Sequence, residues 1–351
     1  MVAGLCSDDK EMGIAEVKAA ALTIGVAGAS GYLGNNLVDR LLRVEGVALR
    51  VLHHSTPVRV FGERCRCFHG DLVSGEGIDA WVAGCDVVVN LAYLWNAGPF
   101  NNLTATRNLV DGCVRRGVRR LVHISTAAVV GRACSNWVDE ATDCRPITEY
   151  GRCKLEIENV LLDKAESSGL DLVILRPTSV FGIGGAPLEK LCGDLYAASP
   201  LKNYLKACLF GRRAMNLVHV ENVTAAIIFA IKRHSDFGGT KWLISEDDIA
   251  MNNYLDIERL GRTKLRINNY LISILPLPSF ILEALLRVLR RNIVNPRCRF
   301  KPEGFRALGF TPVRDLQSGL CEYFDWYLDN LLKPVLSKAE LRPPLGKNER
   351  T

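Results

Sequence analysis

Short apolar runs rich in β-branched residues alternate with amphipathic stretches over the first 244 positions of the chain. The run that begins at Leu22 has the length of a buried strand, and apolar residues at helical spacing follow it over 32–44. The same pattern predicts strands at 47–52, 64–68, 86–91, 119–124, 171–176 and 241–244, and helices through 107–116, 146–167, 223–232 and 316–331. This alternation is typical of an α/β fold with a parallel sheet, in which ligands collect at the carboxyl ends of the strands.

The regularity of the pattern changes along the chain and suggests four segments. We expect a flexible leader over 1–20 and a dinucleotide-binding core over 21–180. Residues 181–332 form a mixed segment that completes the core and builds a smaller substrate-binding lobe, and 333–351 form a polar tail. The expected fold is therefore a Rossmann-type, doubly wound parallel sheet with a small C-terminal lobe.

Composition excludes several classes of protein. The 351 residues carry a net charge of +6 without a dense basic run, so we expect a small-molecule substrate and no nucleic acid. The 12 cysteines include no Cys-x-x-Cys pair, which favours free thiols in a cytoplasmic protein without a metal site. Cys65 and Cys67 would need His69 and further ligands to bind a metal. A homodimer is compatible with this composition.

Two stretches of the sequence determine whether a transmembrane segment or a membrane-surface contact is expected. The N-terminus lacks the basic-then-apolar order of a secretory signal, and Pro276, Pro278 and Glu283 interrupt the apolar stretch 270–286, so no transmembrane segment is expected. A helix is predicted over 279–291. Its apolar face comprises Ile281, Leu282, Leu285, Leu286 and Leu289, and its basic residues are Arg287, Arg290 and Arg291. Three interpretations remain open for this helix: packing on the substrate lobe, covering the substrate pocket, or contact with an anionic membrane surface.

Three glycines at intervals of three residues follow the first strand. Gly28 permits a tight turn, Gly31 lets the backbone approach a pyrophosphate, and Gly34 lets the helix pack on the strand. The start of the helix supplies free N–H groups for phosphate. A tight strand-to-helix turn without a ligand is the alternative.

The stretch Gly28-Ala29-Ser30-Gly31-Tyr32-Leu33-Gly34 resembles the glycine signature of the extended short-chain dehydrogenase/reductase superfamily, the NAD-dependent epimerase/dehydratase family. The resemblance covers roughly residues 22–326. It implies NAD(P)-dependent redox chemistry on a carbonyl or secondary alcohol, or epimerisation through transient oxidation, with a nucleotide sugar among the substrates considered. It implies that the cofactor contacts Gly28, Ser30, Gly31, Tyr32, Leu33, Gly34, His53, Asp71, Leu72, Leu91, Ala92, Tyr150, Lys154 and Pro177. For Asp71, capping a helix that begins near Ser74 is an alternative to binding adenine.

Tyr150 and Lys154 lie four residues apart, so they share one helix face. The resemblance makes them a Y-x-x-x-K pair in which the ammonium and an oxidised nicotinamide lower the phenol pKa, so that Tyr150 acts as the acid/base. It makes Thr126 the hydroxyl that orients the substrate oxygen, with Ser125 as the fallback. Ala127 and Ala128 replace the Asp-Glu pair of the dehydratases, which argues against dehydration. A solvated helix face is the alternative for the Tyr/Lys pair.

Departures from the family pattern affect the substrate and the cofactor. Met215 stands where nucleotide-sugar epimerases often have an arginine, with Arg212 and Arg213 just upstream. The second strand ends in His53 without the acid typical of NAD-binding members, so NADP is slightly favoured over NAD, with His53 or Arg59 as its phosphate partner. The rival function is a non-catalytic NADP-binding redox sensor on the same fold, which would typically lack the Tyr/Lys pair.

Overall fold

A computed structural model describes residues 21–55, 62–133, 135–288 and 295–332. The strands are β1 Leu22–Ala27, β2 Val47–His53, β3 Cys65–His69, β4 Val87–Asn90, β5 Arg120–Ile124, β6 Trp137–Val138, β7 Asp171–Pro177, β8 Ser179–Phe181, β9 Leu217–His219, β10 Thr240–Ile244 and β11 Arg299–Phe300. The helices are α1 Tyr32–Leu42, α2 Ile78–Val82, α3 Gly98–Arg115, α4 Glu149–Ser168, α5 Glu189–Ala197, α6 Pro200–Phe210, α7 Val220–Lys232, α8 Tyr254–Lys264, α9 Ser279–Val288, α10 Glu303–Ala307 and α11 Leu316–Tyr327.

Seven of the described strands form one sheet in the order β3-β2-β1-β4-β5-β7-β10, and every pair in it is parallel. The chain moves outward from β1 to β3 and then returns to β4 on the other side of β1. This reversal between β1 and β4 is a topological switch point, where ligands bind in doubly wound sheets. The predicted fold class, a Rossmann-type α/β fold, is confirmed.

The core lies on both faces of this sheet. One apolar layer packs under α1 and α7, and the other packs under α2, α3 and α4. Central strands are apolar at consecutive positions because both of their faces are covered, and all four residues of β4 are buried. A separate apolar cluster joins β8, β9, α5, α8 and α11 into a smaller lobe.

Asn222 and Glu246 tie that lobe to the sheet. The buried Glu246 carboxylate accepts hydrogen bonds from the His219 backbone N–H and from the Asn222 side chain, at 3.0 Å for the latter. The Asn222 side-chain oxygen accepts from the backbone N–H groups of Val313 and Arg314, both at 2.8 Å. One pair of side chains therefore joins the segment after β9, the end of β10 and the segment before α11.

Two predicted helix boundaries are wrong. Pro146 precedes α4 instead of occupying its first turn, because the Thr148 hydroxyl caps the helix by accepting from the Gly151 N–H at 3.0 Å. No helix begins near Ser74, since α2 starts at Ile78. Helix α9 is described over Ser279–Val288, and its predicted continuation through Leu289, Arg290 and Arg291 lies outside the described residues, as do the predicted leader and tail. Within the described ranges, none of the helices combines the length and apolarity that a membrane crossing requires.

Candidate active site

A cleft of about 520 Å³ opens at the carboxyl ends of the central strands. Every described residue predicted for cofactor binding or catalysis lines it: Gly28, Ser30, Gly31, Tyr32, Leu33, Gly34, His53, Asp71, Leu72, Leu91, Ala92, Thr126, Tyr150, Lys154 and Pro177. These residues come from six strand ends and from the helices α1 and α4. The parallel sheet brings them together because all of its strands end at the same edge.

The turn between β1 and α1 is shaped by glycine packing. Gly28 has a positive φ of 80°, and a Cβ there would lie 2.8 Å from the backbone nitrogen of Ala92. A Cβ on Gly34 would lie 2.2 Å from the Gly28 oxygen, so α1 packs on the turn only without a side chain. A Cβ on Gly31 would meet the protein only at 3.4 Å. Protein packing therefore requires glycine at 28 and 34, while position 31 faces cleft space that a ligand can occupy.

One end of the cleft is formed by the ends of β2 and β3. The His53 ring lies 5.6 Å from the His69 ring, and the Asp71 carboxylate accepts from the Val73 N–H at 2.8 Å. This hydrogen bond lowers the pKa of Asp71, and it shows that the carboxylate stabilises the turn that follows β3. Arg59, the other predicted phosphate partner, lies outside the described residues. Among the described residues, no cluster of His, Cys, Asp or Glu could hold a metal.

The opposite end of the cleft places a phenol beside a hydroxyl. Tyr150 lies in the first turn of α4, and its phenol hydrogen-bonds the Thr126 hydroxyl just beyond β5. Gly151 permits this approach, since a Cβ there would lie 2.9 Å from the Ala128 oxygen. The Ser125 hydroxyl is buried and has no hydrogen-bond partner among the described residues. Thr126, rather than Ser125, is thus the hydroxyl next to the phenol.

The lowering of the Tyr150 pKa by Lys154 together with an oxidised nicotinamide stays a prediction. Burial of the ring raises the pKa of Tyr150 above the usual value for a phenol, and the hydrogen bond to Thr126 opposes that rise only in part. The Lys154 ammonium donates a hydrogen bond to the Ile124 carbonyl at 2.9 Å. The phenol is therefore protonated at neutral pH.

Lys154 is buried beneath the cleft. Burial lowers its pKa to about 8, since removing the ammonium from water disfavours the charged form. His123 lies nearby on β5, fully buried, and its Nδ1 is 3.2 Å from the side-chain nitrogen of Asn90. Burial and the Lys154 charge hold the pKa of His123 well below its usual value. The His123 imidazole is therefore neutral and lies near the buried Lys154 ammonium.

Aromatic rings surround the phenol, and the sequence analysis did not identify them. The Trp95 ring stacks on Tyr150 with 5.1 Å between centroids and an angle of 17°, and the Tyr93 ring meets Tyr150 edge-on at 4.9 Å. Thr178 and Val180 line the cleft beyond the end of β7. Two aromatic residues with one residue between them, directly after a buried strand, are the signal that could have revealed this wall.

Comparison with known sequences decides the family. The sequence model of the NAD dependent epimerase/dehydratase family matches residues 24–244, well over half of the chain. The chain belongs to this family. It is an enzyme of the extended short-chain dehydrogenase/reductase type, and its glycine turn, its parallel sheet and its Tyr/Lys helix all lie within the matched residues.

The names of two relatives of this chain give different substrates. A 4-hydroxy-2-methyl-3-oxo-4-farnesyl-3,4-dihydroquinoline-1-oxide ketoreductase of Stigmatella aurantiaca is 29% identical over 220 residues, 59% of this chain and 64% of that protein, so the chain spans less than two thirds of it. A decarboxylating sterol-4-alpha-carboxylate 3-dehydrogenase of Candida albicans is 24% identical over 87% of this chain and 97% of its own.

Solved structures of the family share the fold. A UDP-glucuronic acid 4-epimerase from Bacillus cereus, solved in complex with NAD, superposes with a TM-score of 0.69 at 19% identity. The superposition covers 89% of this chain and 98% of that one. At 19% identity, the superposition establishes the fold of this chain and does not identify its substrate.

Proposed function

We propose that the protein is an NAD(P)-dependent oxidoreductase that acts on a carbonyl or a secondary alcohol through Thr126, Tyr150 and Lys154. The observation that carries this proposal is the hydrogen bond between the Tyr150 phenol and the Thr126 hydroxyl, above a buried Lys154, in the cleft that also contains the glycine turn. A regulator that only senses NADP would have no use for this arrangement.

The residues of the cleft fit a nicotinamide dinucleotide. Backbone N–H groups at the start of α1 face the open space at Gly31, which suits a pyrophosphate. His53 ends β2 without an acid, which favours a 2′-phosphate and hence NADP over NAD. A bound nicotinamide supplies or accepts the hydride that this chemistry requires.

Proton transfer is then assigned to Tyr150. As the substrate carbonyl is reduced, its oxygen gains charge and takes the phenolic proton, while the Thr126 hydroxyl donates a hydrogen bond to the same oxygen. A buried phenol with a raised pKa is a competent proton donor at neutral pH, which favours the reduction direction. Lys154 stabilises the resulting phenolate, and the Ile124 carbonyl holds its ammonium in place.

The wall of the cleft favours an uncharged, flat, largely apolar substrate. Tyr93 and Trp95 flank the phenol, and Lys154 is the only lysine or arginine among the described residues that line the cleft. The ketoreductase and the sterol dehydrogenase are relatives whose names give ring substrates with large apolar parts, although the sterol also carries a carboxylate. A nucleotide sugar is the second candidate, since the epimerases share the fold. Its diphosphate needs cations, yet Met215 replaces the expected arginine and neither Arg212 nor Arg213 lines the cleft.

A substrate panel tests both candidates. NADPH or NADH oxidation is measured with polycyclic and aryl ketones in one set and with 4-keto nucleotide sugars in the other. We expect turnover with members of the first set. Turnover confined to the nucleotide sugars would contradict the proposed substrate class, and dinucleotide binding without turnover on either set would support the sensor.

A further inference from the structure

The substrate lobe exposes a concentration of large apolar side chains. Eight such side chains among the described residues are more than 60% exposed, and six of them are Leu201, Leu271, Ile272, Leu275, Phe280 and Val288. These six belong to α6 and to residues 271–288, which we call the apolar face. The other two, Trp95 and Phe100, lie at the cleft and at the start of α3. Exposed apolar area gathered in this way marks an interaction surface.

The two parts of this face are held together. The Leu277 N–H donates to the Cys208 oxygen at 2.8 Å, and the Tyr204 hydroxyl donates to the Ser273 oxygen at 3.3 Å. Helix α9 packs against α6 and turns Leu282 inward, where it is 2% exposed. The helix is therefore apolar on its outer side as well as its inner side, so packing on the lobe accounts for only half of its pattern.

Positive charge accompanies the apolar face. Residues 200–210 and 271–288 contain three basic residues, Lys202, Lys206 and Arg287, and one acidic residue, Glu283, which gives +2 of the net +6 of the chain. The Glu283 carboxylate is paired with Arg297 at 3.4 Å, and Lys206 is held by Asp194 at 2.8 Å. An apolar centre with basic residues around it matches the interface of a bilayer that contains anionic lipid.

We propose that the apolar face docks this enzyme on the surface of an anionic phospholipid bilayer, with its leucine and phenylalanine side chains at the acyl boundary and its basic residues among the headgroups. A second copy of the chain is a poorer occupant, since a two-fold contact places +2 against +2. Helix α9 has ten residues and is about 15 Å long, half the hydrocarbon thickness of about 30 Å, so it lies on the membrane. This inference goes beyond the proposed function and is independent of it.

Flotation of the full chain with vesicles tests the proposal. One set of vesicles contains phosphatidylcholine alone and the other contains phosphatidylcholine with 30% phosphatidylserine, a composition in the range of about one third anionic lipid. Leu271→Ser/Leu275→Ser removes two exposed side chains of the apolar face. Ile183→Ser/Val313→Ser is the matched control, because these residues are 44% and 54% exposed and lie elsewhere.

We expect the wild type and the control to float with the anionic vesicles and to bind the neutral ones more weakly. The apolar-face variant should lose at least tenfold in vesicle affinity, about 1.4 kcal/mol, while its circular dichroism spectrum stays unchanged. Absence of flotation with anionic vesicles would overturn the proposal. An equal loss of vesicle affinity in the control variant would also overturn it. So would a wild-type protein that binds no lipid and forms a dimer in solution, if the apolar-face variant is a monomer.

Discussion

The two ends of the cleft are built in different ways. At the nucleotide end, seven consecutive residues from Gly28 to Gly34 form the turn, and backbone crowding at Gly28 and Gly34 determines its shape. At the substrate end, the walls come from side chains on four separate stretches, including Trp95 after β4, Thr126 after β5 and Tyr150 on α4. The first end depends on the absence of side chains, and the second depends on their presence.

This difference assigns cofactor binding and substrate choice to separable parts of the molecule. A change in a wall side chain leaves the turn untouched, and a change in the turn leaves the wall untouched, because the two share no described side-chain hydrogen bond. Mutations at each end should therefore affect different measured quantities.

Tyr150→Phe should produce the largest effect. It removes the phenolic oxygen alone, so we expect turnover to fall by about 100- to 10,000-fold, the usual contribution of a positioned acid/base. Dinucleotide affinity should stay within about threefold, because the glycine turn and Lys154 are retained. Steady-state kinetics and calorimetry measure the two quantities. Turnover near that of the wild type in a folded variant would remove Tyr150 from the mechanism and revive the sensor.

Gly34→Ala and Gly31→Ala should separate packing from ligand approach. The Gly34 variant places a Cβ 2.2 Å from the Gly28 oxygen, so it should lose about 1–3 kcal/mol of unfolding free energy and at least tenfold in dinucleotide affinity. The Gly31 variant should fold normally and lose affinity alone, since its nearest protein atom is 3.4 Å away.

Gly193→Ala in α5 is the control for this pair, because its Cβ would meet only the Tyr327 oxygen, at 4.0 Å. It should be neutral or stabilising by about 0.5–1 kcal/mol. Denaturant unfolding and dinucleotide titration distinguish the three variants. Normal dinucleotide affinity in Gly31→Ala would contradict the pyrophosphate assignment.

Lys154 connects the two ends and should make stability depend on pH. Its pKa is about 8 in the folded protein and 10.5 as the ordinary value, so the unfolded chain binds more protons between these values. Stability should therefore rise with pH from 8 to 10.5, by about 3 kcal/mol in all. The difference in unfolding free energy between wild type and Lys154→Met isolates this contribution from other titrating groups. If the difference in unfolding free energy between the two proteins stays constant over this pH range, burial does not lower the pKa of Lys154 in the folded protein.

Trp95→Ala should affect the substrate end alone. The side chain is 73% exposed, so its removal should leave the fold intact while KM rises about tenfold through loss of aromatic contact. Cofactor affinity should be unchanged, and Trp137→Ala, at 45% exposure on β6, is the control for loss of a tryptophan. A change in dinucleotide affinity equal to the change in KM would mean that the two ends are not separable.

Cofactor choice should show the smallest effect. We expect NADPH to bind a few-fold more tightly than NADH, and His53→Asp to reverse this order by supplying an acid for the ribose hydroxyls. Calorimetry with both dinucleotides measures the ratio. Tenfold tighter binding of NADH by the wild type, about 1.4 kcal/mol, would show that His53 does not select a phosphate.

The nucleotide end could be predicted because its determinants are local. The spacing of Gly28, Gly31 and Gly34 and the interval between Tyr150 and Lys154 are visible in the sequence, and the parallel sheet follows from the apolar pattern. The aromatic pair Tyr93 and Trp95 is visible in the sequence, but its position beside Tyr150 could not be predicted, because it depends on which loops meet at the sheet edge. The hydrogen bond from the Lys154 ammonium to the Ile124 carbonyl could not be predicted either, because the sequence does not show which backbone oxygen a buried lysine reaches.

The junction at Asn222 and Glu246 has a consequence for the order of folding during synthesis. Six strands of the main sheet are complete once Pro177 has been made. The substrate lobe must wait much longer, because Asn222 finds its partner at Arg314 only 92 positions later. Until then, the buried Asn222 side chain lacks its partners at Val313 and Arg314 and the apolar cluster around α11 is open. A nascent chain released early would therefore hold a nearly finished sheet beside an unfinished lobe.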